Sequence, residues 1–253
     1  MVKFPLSIKT SLISTILGLL LILCPSLGYS VQSLLLKDSL RNAKVGDYII
    51  TQQGKMHTAW IVVKKSEQEL VIDEISLPSN AFPKEYPSWS SWLFSGAPNN
   101  TSWIEFTVDL SSGVVHNWYS KTKGRHFSLP QNENLLTTLL TLTLYEIPPS
   151  ERKRVGPRQI GLKIDTRSLW EPPLIFNGEK IEGAAFYAWR TQWPKDGSAL
   201  SQKTIEVYTP KEGPYPAYFP YWLQVRGLAG QAKLRVVDSG SYRQFESQRE
   251  NGF

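Results

Sequence analysis

Few side chains in this chain are equipped for covalent or metal chemistry. There is one cysteine, Cys24, and three histidines, His57, His116 and His126. None of the histidines lies in an HExxH pattern or has a second histidine or an acid at ligand spacing, so they read as structural or solvent-facing residues before they read as metal ligands. Gly-x-Ser-x-Gly, a Walker loop and the dinucleotide fingerprint are absent, and spacing alone singles out no Ser/His/Asp triad. No cofactor and no metal is expected. Whether the protein is an enzyme stays open, with a hydrolase ranked third. That reading needs one histidine to meet an acid and a hydroxyl in a polar cleft.

Two other patterns point to binding. Arg152-Lys153-Arg154, with Arg158 beyond Gly156-Pro157, directly follows a leucine-rich segment. Such a cluster can contact anionic lipid head groups, lipopolysaccharide phosphates or an acidic partner. Equally, it can be a solvated loop after a helix C-terminus, where cations are favoured. The second pattern is Tyr208–Trp222, in which Pro210, Pro214, Pro216 and Pro220 alternate with Tyr215, Tyr218, Phe219, Tyr221 and Trp222. Proline keeps this stretch extended and withholds ladder hydrogen bonds, so its aromatics either stack on a ligand or cap one end of a barrel. Trp170, Trp189 and Trp193 allow the same two readings. The Asn-x-Thr/Ser matches at Asn99 and Asn100 are short enough to be chance, and Glu179, Lys180 and Glu182 around Asn177-Gly178 read as a solvated turn.

The elements that must position these residues begin after a leader. Lys3 and Lys9 precede the apolar run Leu12–Cys24, then Pro25 and a small-residue stretch ending Gly28-Tyr29-Ser30. This is the order of a cleavable signal peptide, and the run falls short of the ~20 residues that span a bilayer. Residues 1–30 are therefore expected to be a signal peptide cleaved after Ser30, placing the protein in the periplasm or outside the cell. Lipid anchoring through Cys24 is disfavoured, because bulky Leu23 stands where a lipoprotein signal carries a small residue. Cleavage leaves 223 of the 253 residues, free of cysteine, with 26 basic against 22 acidic side chains and all 9 tryptophans. An exported chain is not expected to meet nucleic acid, despite its positive charge. The aromatic and aliphatic content excludes a disordered chain, and glycine without a period excludes a collagen-like one.

Residues 31–253 read as a single β-rich domain. Leu34, Leu35, Leu36 and Leu40 mark a short amphipathic helix within 31–44. Tyr48–Thr51, Thr58–Lys64 and Glu69–Ile75 form a meander, and 78–100 is a proline-broken excursion carrying Trp89, Trp92, Leu93 and Phe94. Trp103–Leu110 and Val114–Tyr119 form a hairpin around Ser111-Ser112-Gly113, one face wet and one buried. Ser128-Leu-Pro-Gln131 resembles a capping box, and the leucines at 135, 136, 139, 140 and 142 recur at helical spacing up to Pro148. Strands return at 159–164, 183–190, 203–208, 219–225 and 232–237. The expected fold is mainly β (α+β): a curved antiparallel sheet or incomplete β-barrel of roughly ten strands, with one or two packed helices, because a large antiparallel sheet curls.

The final strand pair, Tyr215 to Gly240, resembles the closing hairpin of periplasmic LolA/LolB-like proteins and of related exported β-rich families, as does the order of signal peptide, strands, mid-chain helix and strands. The resemblance implies a non-enzymatic carrier whose concave apolar cavity accepts acyl chains. The resemblance transfers no individual binding residue; the sequence itself offers Trp89, Trp92, Leu135, Leu139, Tyr218 and Tyr221 as candidates to hold a lipid or lipoprotein acyl chain. Arg152, Lys153, Arg154 and Arg158 then meet an anionic membrane surface. The alternative is a glycan- or envelope-binding module that uses exposed tryptophan and tyrosine.

Overall fold

The strands that alternate in sequence assemble into a single antiparallel system. A computed structural model describes residues 32–130, 134–158, 161, 165–211, 213–227 and 230–242; the signal-peptide segment and most of the strand expected at 159–164 lie outside them. In chain order the elements are β1 (Ser33–Leu35), α1 (Leu36–Ser39), β2 (Asp47–Gln53), β3 (Met56–Lys65), β4 (Glu69–Pro78), α2 (Trp89–Phe94), β5 (Ser102–Asp109), β6 (Val115–Ser120), β7 (Arg125–His126), α3 (Leu135–Thr141), β8 (Thr143–Glu146), β9 (Leu174–Phe176), β10 (Glu179–Ile181), β11 (Phe186–Gln192), β12 (Thr204–Pro210), β13 (Trp222–Gly227) and β14 (Gly230–Ser241). Twelve strands form one sheet in the order β1-β8-β11-β12-β13-β14-β2-β3-β4-β5-β6-β7, and β9 pairs with β10 separately. The fold is mainly β, a large curved antiparallel sheet that does not close into a barrel.

Period-two alternation sorts the side chains. Ile49, Val62, Ile72, Phe106, Val108, Val207 and Val225 belong to the inner core, which Leu36, Leu40 and Leu140 complete from the helical segments. Tyr48, Ile50, Ala59, Ile75 and Leu77, one residue out of phase, form a second core on the outer face of β2, β3 and β4 with Trp92, Leu93 and Ala97. The 78–100 excursion is thus a cover for an apolar outer face. Within it α2 is capped by Ser88, which accepts from the Ser91 amide at 3.1 Å. Trp92 is 1% exposed and its indole donates to the Pro98 carbonyl at 2.9 Å.

The leucine-rich segment differs from its helical expectation. α3 starts after Asn134, whose side chain accepts from the Thr137 amide at 3.2 Å, so Asn134 caps the helix and Ser128 does not. At Leu142 the backbone is already extended. Thr143–Glu146 then pairs with β1 and β11. Thr137, Thr138 and Thr141 give the helix little intrinsic stability, whereas β8 finds open partners on both sides. The amphipathic helix expected within 31–44 is likewise split into β1, the single turn α1 and a 3₁₀ turn at Leu40–Asn42. β13 starts at Trp222, two residues after Pro220, which has no amide to donate.

A clamp fixes the β9–β10 hairpin to the sheet. Asn177 and Gly178 take positive φ of 52° and 82°, the pair of left-handed residues that a two-residue hairpin turn requires. The Gly178 amide donates to Asp238 at 3.0 Å and the Asn177 amide to the Ser239 carbonyl at 2.7 Å. A β-carbon on Gly240 would lie 2.0 Å from the Asn177 side-chain oxygen, so only glycine lets the hairpin approach. Burial pushes the Asp238 carboxyl up to about 6 despite these donors. The folded state therefore holds the Asp238 proton more tightly than the unfolded state does. Its contribution to stability is full below about pH 4 and is lost as pH rises through about 6. Asp238→Asn keeps an acceptor for the Gly178 amide. It should gain about 2–3 kcal/mol on the wild type between pH 4 and pH 7, read from urea unfolding at the two pH values; a constant difference would show that Asp238 ionises freely in the fold.

Candidate functional site

Register, rather than sequence proximity, builds a polar groove on the outer face of β11, β12 and β13. Arg190, Glu206 and Gln224 stand side by side across the three strands, and Ala188, Tyr208 and Trp222 form the next row. The connection from β8 to β9 folds over these rows. Within it the Trp170 amide donates to the Lys153 carbonyl at 2.8 Å and the Val155 amide to the Ser168 carbonyl at 3.0 Å, which brings Arg152, Lys153 and Trp170 to the groove. The enclosed volume is about 130 Å3, lined by Ile147, Glu151, Arg152, Lys153, Trp170, Arg190, Glu206, Tyr208, Trp222, Gln224 and Arg226.

Four cations line this groove against two carboxylates. Glu206, only 6% exposed, accepts from Arg190 at 3.2 Å and from Arg226 at 2.9 Å, and Arg190 also reaches Glu151 at 3.0 Å. Arg152, its side chain 8% exposed, donates from a single terminal nitrogen, Nη2, to both Glu171 carboxylate oxygens at 2.8 and 2.9 Å. It donates a further hydrogen bond to the Phe186 carbonyl at 3.2 Å. Its remaining donor, Nε, is buried without a hydrogen-bond partner among the described residues. Burial raises the Glu171 carboxyl, an effect that Arg152 opposes. It also raises the Tyr208 hydroxyl, and the Glu206 charge adds to that rise. With Glu171 included, the four cations meet three carboxylates, and one buried N–H stays unspent among the described residues.

The aromatic floor is continuous with these charges. Trp170 stands edge-on to Tyr208 at 5.4 Å and to Trp222 at 5.0 Å. Lys153 lies 4.6 Å from the Trp170 ring centroid, the Arg152 guanidinium carbon 5.7 Å from that of Tyr208 and Lys233 5.9 Å from that of Trp222. Cations at such distances are attracted to the ring faces. Among the described residues no histidine, serine or cysteine lines the groove.

The residues expected to hold a ligand fall in three places. Trp89 packs on Phe82 at 4.2 Å and on His57 at 4.5 Å, and meets Trp92 at 5.7 Å, all within the outer cover. Leu135 and Leu139 pack against the inner core, where Tyr218 is buried. Tyr221 is buried with them and donates to the Ser239 hydroxyl at 2.8 Å. Of the basic cluster, Arg152 and Lys153 enter the groove, Arg154 pairs with Asp165 at 3.7 Å and Arg158 is exposed. Arg190, Glu206, Gln224 and Arg226 escaped notice in the sequence. Their signal was charge at alternate positions of strands whose other positions are apolar, as in Thr204-Ile-Glu-Val-Tyr208. Among the described residues no three His, Cys, Asp or Glu side chains are grouped to hold a metal ion, and no helix is long and apolar enough to cross a membrane.

Fold and groove together define a β-rich open-sheet protein with a cationic, aromatic-floored recess. A model of the family described as CT021 protein matches residues 58–182, from within β3 to just past β10. The hypothetical protein CT021 from Chlamydia trachomatis, solved at 2.0 Å, is similar in structure, with a TM-score of 0.58 and 16% identity over 83% of this chain and 93% of that one. At that identity the likeness establishes the fold. No curated protein matches the chain.

Replacing Glu206 tests whether the groove is a coupled unit. Glu206→Gln leaves Arg190 and Arg226 without their shared carboxylate and should cost about 1–3 kcal/mol in urea denaturation. An unchanged midpoint would mean that solvent already screens these pairs.

Proposed function

We propose that the protein is an exported binding protein whose outer groove recognises anionic, hydroxyl-bearing groups of a cell-envelope glycan. The observation that carries this reading is the groove itself, with Arg152, Lys153, Arg190 and Arg226 set against Glu151 and Glu206 over Trp170, Tyr208 and Trp222. Guanidinium groups suit phosphate and carboxylate, ring faces take the apolar side of a sugar, and Glu206, Tyr208 and Gln224 offer partners for hydroxyls. At about 130 Å3 the recess is smaller than the roughly 300–1,000 Å3 of a drug-sized pocket, so it suits one charged group of a larger molecule. Export rests on the leader at residues 1–30.

The LolA/LolB-like layout supports a second reading, an acyl-chain carrier. Against it stands the filled interior. The inner void bounded by Leu40, Trp60, Leu136, Leu140, Tyr218 and Phe219 holds about 20 Å3, so an acyl chain enters only if α3 or the Tyr218–Phe219 segment moves out.

Co-sedimentation with intact lipopolysaccharide, dephosphorylated lipopolysaccharide and peptidoglycan sacculi tests the proposal. Intact lipopolysaccharide should retain the protein in a salt-sensitive manner, and the double variant Lys153→Ala/Arg226→Ala should weaken retention at least tenfold. Retention by none of the three overturns the reading. Saturable binding of a fluorescent fatty acyl probe without glycan binding replaces it with the carrier.

A further inference from the structure

The inner face of the sheet holds a carboxylate that none of the described residues neutralises. On β4, Asp73 and Glu74 point to opposite faces. Asp73 and its cross-strand neighbour Glu105 share Lys121, at 2.7 and 3.0 Å. Glu74 lies opposite Trp60 on one side and Ile104 on the other, both of which pack against the inner core. Among the described residues it has neither a hydrogen bond nor an ion pair. Its inward neighbours on β3, β4 and β5 are Thr58, Trp60, Ile72, Ser76, Ser102, Ile104 and Phe106, none of them charged.

Aromatic rings gather beside it. Trp60 meets Phe106 at 5.7 Å and Phe219 at 5.8 Å, Phe106 meets Trp118 at 4.8 Å, and Trp118 meets Phe127 at 5.9 Å. Trp60, Glu74, Ile104, Trp118, Phe127 and Phe219 all keep partial solvent access, so the inner face is reachable at Glu74, although Trp60 and Phe219 also bound the small void under α3. Burial alone pushes the Glu74 carboxyl up to about 7. An unpaired carboxylate beside apolar rings is costly unless a cation joins it, and ring faces attract that same cation.

We propose that Glu74 and the half-buried ring of Trp60 form a binding site for an organic ammonium group, either quaternary as in choline or primary as in an alkylamine. Glu74 supplies the counter-charge, and the aromatic face replaces the water that a small inorganic cation would have to keep. The site lies on the face of the sheet opposite the groove and does not depend on it.

Titration of the full chain with tetramethylammonium, choline and n-butylammonium chlorides tests the site by tryptophan fluorescence, with sodium chloride and the neutral isostere 3,3-dimethylbutanol as controls. Saturable quenching is expected for the ammonium salts alone. The first two salts against the third separate quaternary from primary recognition. Glu74→Gln should lower the affinity at least tenfold while remaining as stable as the wild type, because it removes an unpaired buried charge. A second reading needs no variant: the carbon-13 signal of the wild-type Glu74 carboxyl at pH 7 should move towards the ionised form as tetramethylammonium is added. The proposal is overturned if no salt gives saturable quenching, if Glu74→Gln binds as tightly as the wild type, or if the carboxyl signal stays still.

Discussion

Tyr48 and Ile50 point to one side of β2 and Ile49 to the other, and all three are almost free of solvent. A sheet that is apolar on both faces has to be covered twice, and most of the molecule answers that requirement. Curvature lets the inner face cover itself, with Leu36, Leu40 and Leu140 filling what remains. The outer face of β2, β3 and β4 cannot do so and takes the tryptophan-bearing excursion instead. Where the outer face becomes polar on β11, β12 and β13, the covering connection leaves room for a recess.

Charge follows the same partition. Cations concentrate on the outer face, where Arg190 and Arg226 are held by a carboxylate they share and Lys153 lies over an indole. On the inner face Glu74 has no counter-ion among the described residues, and its strand neighbours there are uncharged. The two faces therefore present opposite electrostatic offers, at places separated along the sheet by β14, β2 and β3. Such a division is easier to maintain in an antiparallel sheet than elsewhere, because adjacent residues of one strand, Asp73 and Glu74 for instance, are insulated from each other by the backbone between them.

Local pattern was enough for some elements. The β5–β6 hairpin is legible because Ile104, Phe106 and Val108 alternate with polar residues up to a Ser-Ser-Gly turn, and Asn177-Gly178 announces its own turn. α3 is read too long because Leu135, Leu136, Leu139 and Leu140 have helical spacing while Leu142 and Leu144 differ by two, so two periods overlap in one leucine-rich run. Trp89 and Trp92 look like spare aromatics until the second apolar face of β2 is recognised, a face visible in Tyr48-Ile-Ile50 as unbroken hydrophobicity. The groove was illegible for a different reason. Arg190, Glu206 and Arg226 come from three separate strands and meet only through register, which no single segment encodes.

The attachment of α3 has a mechanical side. Val115, at the start of β6, donates to the Thr137 hydroxyl at 2.8 Å and accepts from the Asn134 amide group at 2.9 Å, and α3 runs on into β8. A seven-residue helix thus acts as the keeper across a horseshoe, joining an arm that ends in β7 to one that ends in β1. Arg41, just past α1, donates to the Leu110 carbonyl at 3.0 Å, so tension between the arms is shared by side chains from both helical segments. The links that hold the arms together thus sit at the door to the interior.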